Sequence, residues 1–342
     1  MTMKKEIFNQ YTSSTKILIR EAEKRNIKID PIIPGHFVKF TYKNHNEYVY
    51  HQIISRTSAV AVKICYSKDI TKKFLQSESI SVAKGQSFDI DSTKKILEYI
   101  KQLKYPLIIK PLSEGHGNDV FLNIMTLDQL RKRINNVKSK YKHILIEEQF
   151  FGDDYRFFTT KDRVVAITKR VPANIIGDGK HTIEELIDLK NKDPRRGDPV
   201  FRSKTHVQIV IDNHVLLYLK AQNLSLKYIP KIKETIYLRK NANISTGGDA
   251  IDFTDIAHKD LKRIAIKCIN AIPGLIYGGV DIMTTDITKK PTKKSYVVLE
   301  INSSPGFNIH HFPLIGKKRN VAGVILDEIF PETKIKNDQT SN

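Results

Sequence analysis

Short strand-like segments alternate with amphipathic helical segments along almost the whole of this 342-residue chain. Hydrophobic residues make up 40% of it and recur in blocks, which excludes disorder throughout. No internal repeat, low-complexity tract or Pro/Gly linker divides the chain into independent domains. The alternation therefore predicts an α+β protein with a substantial core.

The hydrophobic periodicity assigns most of these segments to helices or strands. The predicted helices cover residues 14–27, 69–77, 92–103, 126–137, 182–189, 215–221, 255–272 and 321–330. The predicted strands cover a hairpin at 39–50 and the segments 106–111, 120–124, 144–147, 155–159, 164–169, 277–283 and 296–301. The region from 177 to about 232 is expected to be an insertion that decorates the main sheet.

Charge and cysteine content indicate which partners and which cellular compartment to expect. The formal net charge is +20, yet the lysines and arginines lie in short scattered groups without interleaved aromatic residues, so no nucleic-acid partner is expected. Cys65 and Cys268 are too few for a disulfide framework and indicate a reducing compartment. The chain has no secretory signal and no run long enough to span a membrane, so we expect a cytoplasmic protein without a membrane partner.

Two apolar strands near the C-terminus, IYGGVDIM and SYVVLEIN, are interrupted by hard oxygen donors. Glu300 and Asn302 are two residues apart and share one face of their strand. If the intervening loop is a symmetric hairpin, Asp281 lies opposite Glu300. Two adjacent carboxylates repel each other unless a proton or a cation lies between them. A hard divalent ion such as Mg²⁺ suits these ligands, whereas the alternative is that the polar residues merely end their strands.

A second group of residues surrounds Lys110, which closes the apolar strand PLIIK. The loop after it, 113–119, has two glycines whose neighbouring amides can wrap a phosphate chain. The patterns GxxxxGK[ST] and GxGxxG are absent at the expected places, which disfavours two common nucleotide-binding folds.

Several longer stretches carry a family resemblance. They are SKDITKKFL, RVPANIIGDGKHTIEELI, NKDPRRG, LRKNANISTGGDAIDFTD, GGVDIM and LEINSSPGFNIHHFP. With Lys110 and the EEQF segment in the same order, the chain resembles the ATP-grasp carboxylate-amine ligases. The resemblance is closest to the ATP-grasp module of cyanophycin synthetase and of bifunctional bacterial glutathione synthetases. Those enzymes carry a further domain for which this chain has no room. We therefore expect a free-standing, single-activity relative.

The resemblance implies an α+β ATP-grasp fold, with two α+β lobes clasping ATP and a small N-terminal α/β region. We expect residues 1–66 to form that region, 67–145 the N-terminal lobe, 146–332 the C-terminal lobe with the insertion at about 177–232, and 333–342 a flexible tail.

The resemblance also implies roles for particular residues. Lys68 and Lys110 would bind the ATP phosphates, and Asp154 would bind the ribose. The adenine would be held mainly through backbone groups of a hinge formed by Glu147, Glu148, Gln149 and Phe150. The metal ligands would be Asp281, Glu300 and Asn302, holding Mg²⁺ or Mn²⁺. The catalytic residues would be Arg239, which stabilises the transferring phosphoryl group, with Ser303, Ser304 and Gly306 beside the acyl phosphate.

Three side chains have competing interpretations. His116 is a candidate base for the amine, or a locally bonded loop histidine. Arg156 and Arg170 can clamp a substrate carboxylate or pair with structural acids. The phosphate loop of relatives usually has a basic residue and then glycine before the valine, whereas Asn118-Asp119 precedes Val120 here. An aspartate near a triphosphate is electrostatically unfavourable unless it turns away or binds metal. The adjacent histidines His310 and His311 are expected to pack or to contact solvent rather than bind metal, on the premise that they lie in a strand.

The implied activity is an ATP- and Mg²⁺-dependent ligase that joins an amino acid or small peptide carboxylate to an amine through an acyl phosphate, with release of ADP and phosphate. One version is a glutathione-synthetase-like addition of glycine to a γ-glutamyl peptide. An alternative from another class is a non-catalytic ATP-binding protein that binds polyanions or nucleic acid. The expected partners are small-molecule substrates, and the oligomeric state is open, a homodimer being one option.

Overall fold

The computed structural model describes residues 3–112, 120–199 and 204–335. The helices are α1 Lys5–Gln10, α2 Ser13–Lys24, α3 Ala59–Tyr66, α4 Lys68–Ser77, α5 Thr93–Ile100, α6 Leu127–Val137, α7 Ile183–Asn191, α8 Asn213–Ala221, α9 Lys259–Asn270, α10 Asn308–His311 and α11 Val321–Ile329. The strands are β1 Lys28–Ile33, β2 Phe37–Tyr42, β3 His45–Tyr50, β4 Ile53–Ile54, β5 Gly85–Asp89, β6 Leu107–Pro111, β7 Phe121–Ile124, β8 His143–Glu148, β9 Asp153–Thr160, β10 Val164–Val171, β11 Asn174–Ile176, β12 Arg196–Gly197, β13 His206–Val207, β14 Thr235–Tyr237, β15 Asp249–Asp252, β16 Tyr277–Thr284 and β17 Tyr296–Asn302.

The N-terminal region is an antiparallel sheet in the order β1-β2-β3-β4, covered by α2. Its apolar residues do not form a separate core. Leu18 of α2 and Phe40 of β2 belong to one buried cluster with Leu326 of α11 and with Phe158 and Tyr277 of the central sheet. The N-terminal region is therefore held to the C-terminal end of the chain by a shared core.

The N-terminal lobe is an antiparallel sheet in the order β5-β8-β6-β7 with α5 and α6. The side chains of Leu107, Ile109, Ile144 and Ile146 lie on one face and form its core with Ile96 and Leu130. Because side chains alternate along a strand, Lys110 and Glu147 lie on the other face. One face of this sheet is thus free to carry charge.

The C-terminal lobe has a central sheet in the order β15-β10-β9-β16-β17. As in the N-terminal lobe, one face of the sheet carries apolar core residues and the other carries charged residues. Tyr155, Phe157, Val280 and Ile282 pack with α9 into a large apolar cluster on one face. The predicted cleft residues alternate with these positions and lie on the opposite face. Alternation along β9 and β16 therefore separates the core from the candidate site.

Residues 173–199 and 204–238 form an insertion around α7 and α8, with a core of their own that includes Ile175, Ile187 and Leu219. A buried polar network joins the insertion to β15. Asp249 accepts hydrogen bonds from Lys190 Nζ (2.7 Å), from Asn174 Nδ2 (3.0 Å) and from Arg196. The predicted insertion at about 177–232 corresponds to the middle of this unit.

Each predicted helix and strand is present, but others, among them β1, α3, β5 and β15, were not predicted, and some details differ. The hairpin turns at Lys43-Asn44, one residue before the expected centre, since Tyr42 pairs with His45. Helix α5 covers Thr93–Ile100 within the predicted 92–103, and the side chain of Ser92 before it makes no capping hydrogen bond. Helix α9 begins at Lys259 rather than at 255. The expectation that His310 and His311 lie in a strand is wrong, because both belong to α10.

Other parts of the chain bear on the domain expectations. The expected boundary at 66/67 falls between α3 and α4, which both contribute residues to the core of the central sheet. The loop 113–119 with His116 and the end of the predicted tail, 336–342, lie outside the described residues. No helix in the described part of the chain is long and apolar enough to cross a membrane. Cys65 and Cys268 are free thiols, as predicted.

Candidate active site

The polar face of the central sheet gathers six of the predicted site residues. Asp281 of β16 pairs in register with Glu300 of β17 on one side and with Arg156 of β9 on the other. Directly paired residues of an antiparallel sheet point to the same face. The predicted pairing of Asp281 with Glu300 is therefore confirmed, although a register shift between Asp281 and Ile282 interrupts the symmetry of the hairpin.

Four of these residues form a charge network, here called the arginine cluster: Asp154, Arg156, Arg170 and Asp281. Arg156 donates to both oxygens of Asp281, with Nε 2.6 Å from Oδ1 and Nη2 2.7 Å from Oδ2. Arg170 Nη2 lies 2.9 Å from Asp281 Oδ2 and 2.6 Å from Asp154 Oδ1. Both arginines thus pair with acids of the protein, which is the alternative that the sequence left open for them.

The electrostatics of the arginine cluster differ between its two acids. Asp281 is only 2% exposed. Burial acts to raise the pKa of Asp281, but Arg156 and Arg170 outweigh it and hold the pKa at about 2. Burial raises the pKa of Asp154 despite Arg170, and the charge of Asp281 adds to that rise. Asp281 is therefore the acid that the two guanidinium groups stabilise in its ionised form.

Glu300 and Asn302 lie beside this cluster and share a face of β17, as predicted. Asn302 Nδ2 donates to Glu300 Oε1 at 3.1 Å, and Glu300 forms no salt bridge with a described residue. Within the described ranges, no group of three or more His, Cys, Asp or Glu side chains is arranged to hold a metal ion. Arg156 and Arg170 bring positive charge to Asp281, so a metal ion is not the sole source of neutralisation for this carboxylate.

The donor set nevertheless fits a hard divalent cation. Glu300 supplies a carboxylate without a basic partner in the described chain, and Asn302 supplies an amide oxygen two residues away. Mg²⁺ usually takes only one or two protein carboxylates and completes its shell with water and phosphate oxygens. The predicted ligand set of Asp281, Glu300 and Asn302 stays a prediction, with Glu300 as its most available member.

The free face of the N-terminal lobe carries a second network, here called the lysine cluster: Lys72, Lys110 and Glu147. Lys72 Nζ lies 2.6 Å from Glu147 Oε1 and Lys110 Nζ lies 2.5 Å from Oε2. Burial acts to raise the pKa of Glu147, but Lys110 and Lys72 outweigh it and the pKa lies below its ordinary value. The three side chains carry two positive charges and one negative charge, and Asp69 lies close enough to interact electrostatically with all three.

Lys72 was not predicted from the sequence, where Lys68 stood as the second phosphate lysine. Lys68 is the first residue of α4, and Lys72 lies one helical turn further along the same helix. The spacing of four residues in SKDITKK is the signal that places both lysines on one side of α4. Lys72 is buried, whereas Lys68 is half-buried.

Helix α4 ties the two networks together. Its Lys72 reaches the N-terminal lobe, while its Leu75 packs in the core of the central sheet with Val298 of β17. Val298 N–H also donates to Ser81 O (2.9 Å), so the chain after α4 runs along β17. The lysine cluster is therefore anchored to the same lobe that carries Glu300 and Asn302.

The predicted hinge starts later than the sequence suggested. Glu147 and Glu148 are the last residues of β8, so the connection between the lobes begins at Gln149. The side-chain amide of Gln149 bonds Asn123 twice, at 2.6 and 2.7 Å. Phe150 follows within the connection. Adenine binding by this segment stays a prediction.

The remaining predicted residues lie in other places. Ser304 and Gly306 follow β17 in a loop that contacts the N-terminal region, and Ser303 precedes them. Arg239 lies in the insertion, where its Nη2 is 2.5 Å from Asp212 Oδ2. It is a half-buried, paired arginine, and its role toward a phosphoryl group stays a prediction.

The two histidines after this loop are packed, as expected, although in a helix. His310 is 1% exposed, with its Nδ1 2.6 Å from Thr168 Oγ1. Burial, with smaller contributions from Arg156 and other cations, lowers the pKa of His310 to about 3. His311 Nε2 accepts from Ala322 N–H (3.0 Å), and burial lowers its pKa to about 4. Both imidazoles are neutral at ordinary pH.

Known proteins resemble this chain over nearly its whole length. Residues 237–329 match the RimK-like ATP-grasp domain family. The chain is 35% identical to cyanophycin synthetase of Crocosphaera subtropica; the match includes 93% of this chain and 36% of that protein. It is 39% identical to the glutathione biosynthesis bifunctional protein of Clostridium perfringens, and that match includes 93% of this chain and 41% of that protein. The bifunctional glutathione synthetase structure from Pasteurella multocida is 30% identical, with a TM-score of 0.75 over 95% of this chain and 45% of that chain.

These matches identify a protein with the ATP-grasp fold. The structure has the ATP-grasp fold, and residues 237–329 match a RimK-like ATP-grasp domain. It is homologous to cyanophycin synthetase and to bifunctional glutathione synthetases, which confirms the resemblance carried by its motifs. The chain spans less than half the length of these relatives.

Proposed function

We propose that the protein is an ATP-dependent ligase that forms an amide bond between an amino acid or small peptide carboxylate and an amine. The observation that carries the proposal is the pairing of Asp281 with Glu300, next to Asn302, on the polar face of an ATP-grasp sheet. The lysine cluster on the facing lobe and the homology to two amide-forming synthetases support it. The fold alone does not determine an activity, so the site carries the argument.

The residues of the site suit the parts of an ATP-grasp reaction. Lys110, with Lys72 or Lys68, would neutralise the ATP phosphates, and Gln149 and Phe150 would border the adenine. Glu300 and Asn302, with Asp281, would hold Mg²⁺, with Mn²⁺ as a substitute, and the ion would screen the charge of the transferring phosphoryl group.

The chemistry needs little beyond positioning and charge neutralisation. A substrate carboxylate oxygen attacks the γ-phosphorus of ATP, forming an acyl phosphate and releasing ADP. The amine then attacks the acyl carbon, the C–N bond forms, phosphate leaves and the amine loses a proton. Loop amides and hydroxyls of Ser303, Ser304 and Gly306 would stabilise the oxyanion, Arg239 would stabilise the transferring phosphoryl group, and His116 would be a candidate for the proton acceptor.

The substrate is proposed to be an anionic amino acid or γ-glutamyl peptide. The net charge of +20 favours a negatively charged substrate, and four relatives are named for glutathione biosynthesis. Glutathione-like addition of glycine is one version of the proposal. A cytoplasmic location agrees with the two free thiols.

Pairs of amino acids and dipeptides, supplied with ATP and Mg²⁺, test the proposal. We expect ADP release only with a matched carboxylate and amine, together with a product whose mass is that of the two substrates minus water. Omission of either substrate is the control. ATP binding without turnover for any pair, combined with binding of a polyanion that weakens steeply with salt, would instead favour the non-catalytic alternative.

A further inference from the structure

The loop that follows β17 is held by a buried serine of the N-terminal region. Ser14 Oγ accepts hydrogen bonds from the main-chain N–H of Phe307 (2.9 Å) and of Asn308 (3.3 Å). Ser14 is 3% exposed and lies in the first turn of α2. Two backbone donors of the loop therefore depend on one hydroxyl that is almost 300 residues away in sequence.

A second buried side chain reaches the same loop. Ser304 Oγ donates to Gln52 Oε1 at 3.4 Å, while Gln52 Nε2 donates to Thr12 Oγ1 (2.8 Å) and Thr15 Oγ1 (2.9 Å). The main-chain oxygen of Gln52 accepts from Tyr277 Oη at 2.5 Å. Gln52 thus joins α2, the loop and the first residue of β16.

Gly306 lies between these two attachments, and neither its backbone conformation nor the packing around it requires a glycine. Its φ is not in the left-handed region, and an added Cβ would lie 3.6 Å from Asn308 Oδ1 and 4.0 Å from Ser14 Oγ. An added Cβ would therefore make only ordinary van der Waals contacts, so the fold accepts a side chain at this position. A glycine at such a position leaves the main chain open to close approach by a ligand.

We propose that Ser14 and Gln52 are positioning residues that hold the Ser304–Asn308 loop against the reacting acyl group. The inference rests on the proposed function. The loop starts two residues after Asn302, so a displacement of its backbone shifts the amides that face the acyl phosphate. Neither Ser14 nor Gln52 touches a substrate. Each acts through the loop, and the N-terminal region therefore takes part in catalysis by fixing geometry.

Hydrogen exchange of the whole protein, followed by mass spectrometry, tests the structural step. Ser14→Ala removes the acceptor of two N–H groups, so exchange in the peptide containing Phe307 and Asn308 should accelerate about tenfold. Ser13→Ala is the matched control, since Ser13 precedes it in the same helical turn without contact to the loop among the described residues. Unchanged exchange in Ser14→Ala would overturn the inference.

Steady-state kinetics with the matched substrates test the catalytic step. Ser14→Ala should lower kcat about tenfold, with the Kd of ATP changed less than twofold and activity restored in Ser14→Thr, which keeps the hydroxyl. Gln52→Glu, which keeps an acceptor for Ser304, should retain more activity than Gln52→Leu. A freed loop with unaltered kcat and KM, or an equal loss of ATP affinity and kcat, would contradict a positioning role.

The two proposals fail in different ways. If the wild-type protein shows no amine-dependent ADP release with any substrate pair, the proposed function fails and so does the catalytic step. The exchange experiment needs no substrate, so it still decides whether Ser14 and Gln52 hold the loop.

Discussion

The arginine cluster and the lysine cluster have the same place in their sheets but different chemistry. In each, charged side chains occupy the face opposite an apolar core. In the arginine cluster two guanidinium groups neutralise two carboxylates through several hydrogen bonds. In the lysine cluster two ammonium groups share the two oxygens of Glu147.

This difference separates a fixed support from an adjustable contact. Guanidinium groups hold a carboxylate in a planar, bidentate geometry, and breaking that geometry leaves a charge without a partner. Ammonium groups on flexible stems can turn from a carboxylate to a phosphate without loss of charge. We interpret the arginine cluster as the scaffold that orients β16 and β17, and the lysine cluster as the part that responds to the nucleotide.

The largest expected effect comes from Glu300, which lies next to the arginine cluster without a basic partner among the described residues. Glu300→Gln should lower amine-dependent ADP release by about two orders of magnitude, because a neutral amide cannot replace the charge that holds a divalent cation. Turnover is measured with saturating substrates, and the melting temperature should not change.

The control for this substitution is Glu184→Gln, which removes an exposed carboxylate 3.1 Å from Lys227 in the insertion. It should retain wild-type turnover. Activity of Glu300→Gln close to that of the control would exclude the proposed metal role of Glu300.

Asp281→Asn tests the scaffold. The substitution leaves Arg156 and Arg170 without the carboxylate that they share, and loss of one partner from a buried ion pair costs about 3–5 kcal/mol. We expect a loss of that size in the free energy of unfolding, measured by urea titration and circular dichroism, because the chain has no tryptophan. Asp193→Asn, which breaks a pair with the exposed Arg195, should cost less than about 1 kcal/mol.

Glu147→Gln tests the adjustable cluster and should cost less than Asp281→Asn. Lys72 and Lys110 lose one charged acceptor, worth about 2 kcal/mol, but their stems let the ammonium groups move toward water. The same urea titration measures the change in the free energy of unfolding. Glu148→Gln is the neighbouring control, since Glu148 accepts a hydrogen bond from Lys104 N–H at an exposed position. A cost of Glu147→Gln equal to that of Asp281→Asn would remove the distinction between the two clusters.

Local patterns predicted one half of the candidate site. Period-two alternation placed Glu300 and Asn302 on one face, and the symmetry of the connecting loop placed Asp281 opposite Glu300. Both inferences depend on residues less than about 25 positions apart in sequence, where strand and turn geometry decide.

The partners of these residues depend on contacts between distant segments. Arg156 lies 125 residues before Asp281 and Arg170 lies 111 residues before it, so strand order rather than any local signal brings them together. The choice between Lys68 and Lys72 depends on the direction in which α4 packs. Helix α10 has four residues, too few for a periodic signal, which explains why its histidines were expected in a strand.

The smallest expected effect is a difference in pH dependence between the two clusters. His310 packs beneath the arginine cluster through Thr168. Its folded pKa of about 3 lies below its ordinary value of 6.5, so the unfolded chain binds a proton first as the pH falls. Stability is therefore full above pH 6.5 and is lost on acidification toward the folded pKa, by up to about 1.4 kcal/mol per pH unit for one proton.

The lysine cluster should respond in another pH window. The lowered pKa of Glu147 gives stability above its unfolded pKa that is lost only as the pH falls below about 4.3. Between pH 5 and 6, His310→Gln should thus flatten the slope of unfolding free energy against pH, while Glu147→Gln should leave it unchanged. Because the pKa values of His51, His206 and His311 are also lowered, the slope should fall in part rather than vanish. An unaltered slope in His310→Gln would show that the acid sensitivity arises away from the arginine cluster.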